Sequence, residues 1–468
     1  MPSIDWLPWA TPSFQRAQYP RRPVLLLLDT AWSAASRRFE THTLTSAEVV
    51  DAVTAQFIAV RVDADWRPDI ADRYGTGAWP TLLALTPEGH VLGGGRPPAE
   101  GLTGWLDLAA RRFRDTDPDW PTMDGGEPPA GAQVEPAAAV AEIWATVATA
   151  VDPATGAFGS AGQPELAPAL AALAGAASDL APALTAAATE TIDRLLASSR
   201  WDSSRGLLLC RGGTVMDLGD PIAHLETQAE WVRLLVRAVE CDPRPAWTAA
   251  LAAGLVGLRT AFGPAASGWR PWTDGPAMTV VDATARACRA VLAAAQHLDA
   301  PDIAQDAVEA LEAMVPRVYS QGAGVAHVLT TRPHGPALLT DAAVVAHALL
   351  DADPWRSQSV YRDLAEELIR SAFSRLAHQS GALLDRRATM AGANAVGRLS
   401  LPVCPLDGNA EVARACMRLG PHDAEWQARA QQVLLGVHAD ARHAGGFAAP
   451  LALAWASVLA PEHPISVW

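Results

Sequence analysis

The chain has 468 residues, half of them hydrophobic and 19% charged, so it holds more apolar material than one ordinary core and divides into two or three domains. Its formal charge of −15 and basic residues that are all arginine argue against a polyanionic partner, so neither nucleic acid nor an anionic membrane is expected as a ligand. The cysteines Cys210, Cys241, Cys288, Cys404 and Cys416 form no CxxC pair and no zinc-like spacing, and no charged leader precedes a long apolar run; a reduced, cytoplasmic setting without cofactor or metal is the expectation.

From Pro23 to Pro98 strand-like runs alternate with helical ones: Val24–Leu28, a helical stretch, Phe57–Val62, Thr81–Leu85 and His90–Leu92, with a hairpin at Pro87, Glu88 and Gly89. This order predicts a small α/β layer, closed by a helix from about Glu100 to Arg114. The first domain is therefore placed at 1–115. Residues 116–135, rich in proline, glycine and acid, read as a linker.

Beyond Pro136 the periodicity is helical. Gly156, Gly206, Gly268, Gly324, Gly381 and Gly445 recur every 50–64 residues, each followed by apolar or aromatic residues, and each interval holds two helices. Examples are Ile222–Glu240 with Ala246–Ala261, Val280–Leu298 with Asp302–Tyr319, and Leu338–Leu350 with Trp355–His378. A long fixed period of this kind signals stacked helix hairpins. Six hairpins close a ring, so residues 136–468 are expected to form an (α/α)6 toroid.

Chemistry-bearing residues fall in two places. Trp79-Pro80 stands before Thr81–Leu85, where a thioredoxin fold carries its cis-proline loop, and the redox position after Val24–Leu28 reads Ser33-Ala34-Ala35-Ser36. A serine hydroxyl can neither attack sulfur nor resolve a mixed disulfide at neutral pH, which excludes thiol–disulfide exchange there. Ser33 and Ser36 either keep a peptide-binding surface or serve as helix N-cap and first-turn residues.

In the toroid, the loops entering the inner helices carry His224 and Glu226, Asp282, Asp341, and Asp407 with Asn409. Carboxylates converging on a pocket suit general acid–base work on a glycosidic bond. The aspartates would alternatively cap their helices, and His224 would serve as a satisfied structural histidine. Metal binding by His224, His327, His334 or His347 has no ligand spacing in its favour. Trp201, Trp272 and Trp355 read as core before they read as sugar platforms.

The run Phe57 to Asp69, followed by Gly77-Ala78-Trp79-Pro80 and Leu85-Thr86-Pro87-Glu88-Gly89, resembles the spermatogenesis-associated thioredoxin-like family. The two cysteines of that family's Cys-His-Trp-Cys motif fall on Ser33 and Ser36. Gly156-Ala157-Phe158-Gly159, His224-Leu225-Glu226 and Gly408-Asn409 extend the resemblance into the second domain, while Gly162-Gln163-Pro164-Glu165 departs from it. The resemblance implies a thioredoxin-like domain followed by a toroid of six-hairpin glycosidase and sugar-epimerase type. Two roles follow as expectations: a redox-inactive binding or regulatory protein, with a small molecule, a sugar or a protein as partner, or a carbohydrate-active enzyme using the toroid pocket.

Overall fold

A computed structural model describes residues 3–98, 100–115, 134–160, 163–175, 181–210, 222–265, 268–356, 360–387 and 396–460. Most of the expected linker (116–133) and the apolar ending Pro464 to Trp468 lie outside the described residues. The chain forms two compact units. The first includes residues 396–402, which the sequence reading placed in the toroid, and the second holds the helices from Pro136 onward.

The first unit is built on a four-stranded sheet in the order β2-β1-β3-β4, with β1 Val24–Asp29, β2 Ile58–Asp63, β3 Thr81–Leu85 and β4 Val91–Gly95. β1 runs parallel to β2 and antiparallel to β3, and β3 turns antiparallel into β4. β1 (VLLLLD) is buried along its whole length, so it reads as a continuous apolar run instead of an alternating one. Its side chains still alternate between two cores. Leu25 and Leu27 pack with α3 (Ala47–Gln56) and α5 (Leu102–Asp115), while Val24, Leu26 and Leu28 pack with α1 (Thr11–Gln18) and α4 (Pro68–Tyr74). A short helix, α2 (Ala34–Arg38), follows β1. Helix α1 lies before the region in which the sequence reading began, and Trp9, Phe14 and Ala17 seat it.

The second unit closes on itself. Its inner helices are α7 (Leu166–Gly175), α9 (Leu225–Cys241), α11 (Val281–Leu298), α13 (Leu339–Ala352), α15 (Leu406–Leu419) and α17 (Ala449–Leu459). Each packs against the next, and α17 packs back on α7. Around them stand α6 (Pro136–Ala148), α8 (Ala181–Ala197), α10 (Pro245–Ala261), α12 (Pro301–Val318), α14 (Val360–Leu376) and α16 (Ala424–Ala441). The two rings differ in sequence for a physical reason. Outer helices bury one stripe, as in Tyr361, Ala365, Leu368, Ile369, Ala372 and Leu376, whereas an inner helix such as α11 is buried almost all round. α6, α10 and α12 each begin with proline in the first turn, where its missing N–H costs nothing.

The period-marking glycines lie in the links from outer to inner helices, and Gly156, Gly206, Gly324, Gly381 and Gly445 adopt positive φ. Gly206 is the sharpest case. At φ 66° a Cβ there would sit 1.9 Å from the Ala253 carbonyl oxygen, so only glycine fits. A second device recurs at the fourth residue of an inner helix. In α9, buried Gln228 accepts from Leu208 N and donates to the carbonyls of Gly206 and Gly254; in α15, Asn409 accepts from Leu383 N and donates to Leu383 and Pro405. Asn409 is thereby a backbone clamp, which removes it from the list of candidate pocket residues. Ile222 and Trp355, expected in helices, lie in an extended segment and a 3-10 turn: the helices start at Leu225 and Val360.

Candidate functional site

The entries of α9, α11, α13 and α15 bring together most of the residues singled out from sequence. Glu226, Asp282, Asp341 and Asp407 stand in the first turns of these helices, while the N-cap positions belong to His224, Val280, Leu338 and Pro405, none with a side-chain cap bond. The expectation that Asp282, Asp341 and Asp407 cap their helices is therefore corrected. An N-cap is an extended residue whose side chain folds back on the first free amides, and these aspartates lie one or two residues inside the helix. They still complement the dipole.

Asp341 is wholly buried and accepts from His327, whose Nδ1 lies 3.0 and 3.1 Å from the two carboxylate oxygens. Asp282 Oδ1 is 4.0 Å from the same nitrogen. His327 comes from the strand Gly324–Leu329, which pairs with Thr279–Val280 immediately before α11; this pairing is what delivers a histidine to two helix entries. Ligand atoms of Asp282, His327 and Asp341 lie within 4.8 Å of one another, so this group has the donors to hold a cation, although His327 Nδ1 is already engaged by Asp341. Burial pushes the Asp282 carboxyl above its ordinary range, and Asp341 adds to the push against the opposing pull of His327.

Glu226 keeps 50% of its side chain accessible and lies 3.3 Å from Arg286 Nε. Surrounding protein desolvates it, which raises its carboxyl, and Asp282 and exposed Asp407 raise it further while Arg286 opposes them. One helical turn deeper, burial and then Glu226 push Glu230 up to about 7. Burial alone would depress Arg286, but Glu226, Asp282 and Glu230 hold its guanidinium above the ordinary value. His224 is lowered to about 4 by burial and is neutral at pH 7.

Glu230 and Arg286 were not singled out from sequence, and His327 was weighed only as a metal ligand without supporting spacing, yet Glu230 and Arg286 carry a signal. Glu226-Glu230-Arg233 on α9, Asp282-Arg286-Arg289 on α11 and Asp407-Glu411-Arg414-Arg418 on α15 repeat at three or four residues, the spacing of one helix face. Charge ladders on helices otherwise buried all round must face one another across the ring. Below the entry, Asp351 pairs with Arg289 (2.9 Å) and Arg418 (2.6 Å), and Glu411 pairs with Arg414 (3.1 Å) and His347 (3.1 Å).

In the first unit, Ser33 is the N-cap of α2 and accepts from Ser36 N at 3.2 Å. The Trp79–Pro80 bond is cis. Beside Ser36 lies a cavity of about 600 Å³ lined by Trp6, Asp29, Glu40, Arg61 and Asp63 among others. Arg61 bridges Asp29 (2.6 Å) and Glu40 (2.7 Å), and burial raises the Asp29 and Asp63 carboxyls. The charged turn after β2 is tied locally, with Arg67 donating twice to Asp69 and Asp65 accepting from Trp32.

Among solved structures, the chain is similar to a D-mannose isomerase (TM-score 0.51, 16% identity, 67% of this chain and 88% of the other). It is also similar to an unsaturated glucuronyl hydrolase specific for heparin (TM-score 0.50, 12% identity, 69% and 95%). At these identities the likeness shows the fold alone, a six-hairpin toroid. Residues 1–107 match the family model Thioredox_DsbH, described as "Protein of unknown function, DUF255". Human spermatogenesis-associated protein 20 is 29% identical over 110 residues and its mouse counterpart 30%, in each case 21% of this chain and 14% of the relative's own length. The N-terminal thioredoxin-like part of the chain is thus similar to the spermatogenesis-associated thioredoxin-like family, and the match spans about a seventh of the length of these curated relatives.

Proposed function

We propose that the toroid performs acid–base chemistry on a carbohydrate at the entries of α9, α11 and α13. The observation that carries this reading is the cluster itself: Glu226, Glu230 and Asp282, all with raised carboxyls, stand with Arg286 and the His327–Asp341 pair at and just below the helix entries, with Glu226 half exposed. A carboxyl near neutrality is suited to give up and recover a proton at physiological pH. Glu230 is assigned the proton donor. His327 is oriented by Asp341 through Nδ1; Asp282, whose Oδ1 stands 4.0 Å from that nitrogen, is assigned the second proton-handling group, and Arg286 stabilises negative charge that develops on a substrate oxygen. The sugar epimerases and glycosidases that share the fold support the substrate class, as an analogy of architecture.

The test is a thermal-shift screen of neutral monosaccharides and disaccharides on the full chain beside Asp282→Asn, Asp341→Ala and His224→Ala. A sugar that raises the Tm of the wild type but not of Asp282→Asn is expected, because a ligand of the folded state stabilises it. No shift with any sugar overturns the reading.

A second reading, a binding or regulatory role for a redox-inactive thioredoxin-like unit, is supported by Ser33 and Ser36 at the motif position and by the adjoining cavity. Reduction of insulin disulfides by the full chain would overturn it.

A further inference from the structure

The geometry points to a second site, inside the toroid and below the entry cluster: a binding site for a small oxyanion of the phosphate or sulfate class, formed by Arg233, Arg289 and Arg414. These three residues come from three inner helices, α9, α11 and α15, and are 5%, 1% and 3% exposed. Arg233 Nε and Nη2, Arg289 Nη2, and Arg414 Nε and Nη2 are buried without a hydrogen-bond partner among the described residues, and Arg289 Nη1 has only Glu411 Oε2 at 3.6 Å, beyond hydrogen-bond length. Buried guanidinium N–H groups ordinarily have acceptors, and a set of them left over on three side chains calls for an acceptor that the described residues do not supply.

The charges agree. Four arginines, Arg233, Arg289, Arg414 and Arg418, face two carboxylates, Asp351 and Glu411. Both carboxyls are held below their ordinary values by these arginines, so both are already ionised, and His347 beside them is neutral at pH 7. Glu230, higher on α9, is pushed toward neutrality and adds less than a full negative charge. A surplus of positive charge remains in a desolvated interior, where an uncompensated ion is costly. Burial lowers Arg233 to about 9, with Arg289 and Arg414 adding to the effect, as expected for guanidiniums that crowd one another around a place an anion would fill. Planar guanidiniums with paired N–H donors match the oxygens of a phosphate or sulfate. This inference does not depend on the sugar reading, since the arginines lie about two helical turns below Glu226, roughly 10 Å along α9.

The experiment compares the thermal unfolding of the full chain in inorganic phosphate, in sulfate and in chloride at matched ionic strength, for the wild type, Arg233→Met, Arg414→Met and Arg233→Lys. Phosphate or sulfate is expected to raise the wild-type Tm by about 3–4 °C at a hundredfold excess over Kd. Arg233→Met and Arg414→Met lose that rise, and Arg233→Lys, which keeps the charge, retains part of it. Arg233→Met should also be at least as stable as the wild type without phosphate, because it removes an unpaired buried charge. A wild type with no response, or with an equal response to chloride, overturns the site; so does a full phosphate response in both methionine variants. If a methionine variant fails to fold, ³¹P line broadening of inorganic phosphate by the wild type and by Arg233→Lys decides the question: no broadening by the wild type refutes the proposal. Failure of the sugar screen leaves this result untouched, and the two outcomes are read separately.

Discussion

Replacing Asp351 by asparagine tests whether the charge ladders support the toroid. Asp351 is 7% exposed at its side chain and bonds Arg289, which is 1% exposed, at 2.9 Å and Arg418 at 2.6 Å. Asparagine keeps the volume and leaves both arginines without their carboxylate. Hydrogen bonds to charged groups contribute about 1.5–3 kcal/mol each, and breaking a buried pair by removing one partner costs about 3–5 kcal/mol. Because Arg289 and Asp351 are buried, solvent screening does not discount these values, and a loss of about 4 kcal/mol is expected. That is nearly a thousandfold change in the unfolding equilibrium. Urea titration followed by far-UV circular dichroism is the assay, since urea adds no ions. The double change Asp351→Leu with Arg289→Met should recover part of the loss, as a buried pair replaced by apolar groups often does. A loss below about 1 kcal/mol at an unchanged m-value would refute the reasoning and make the ladder a solvated feature.

His347 is buried and neutral, with its folded pKa lowered from 6.5 to about 4, so an unfolded chain binds its proton first; the stability it contributes is intact above pH 6.5 and is lost as pH falls from 6.5 toward 4, by about 3 kcal/mol. His347→Gln should flatten that slope in urea titrations run across the window. Gly206→Ala places a Cβ against the Ala253 carbonyl in a left-handed turn and should cost about 2–4 kcal/mol, read from the urea midpoint, whereas Gly104→Ala, with open space around its Cβ, should cost little or even stabilise α5.

The architecture was legible because its punctuation is steric. Five of the six glycines that mark the period sit in links at positive φ, where any side chain is strained, and at Gly206 a close carbonyl excludes one altogether, so their spacing could not drift freely. The entry residues were half legible. Asp282 and Asp341 stand out as acids just inside apolar helices, and the structure brings both to His327. The meeting of His327 with them was hidden, because the histidine reaches the entries from a strand between helices, and no helical spacing relates it to either aspartate. Glu230, Arg233, Arg289 and Glu411 were hidden for another reason. A charged residue in a long helix is ordinarily assigned to the solvent face, but a closed ring gives each inner helix a second face that meets only other helices.

Ring closure also bears on how the chain could be rearranged. Helix α17 packs against both α6 and α7, which brings the first and last hairpins of the second unit side by side. A circle of hairpins has no privileged starting point, so the order of genes' reading need not match any order in the packing. Joining residue 460 to residue 134 through a short flexible connector and opening the chain in an outer turn, for instance at Asp242–Arg244 between α9 and α10, would yield a permuted toroid with every inner-helix neighbour retained.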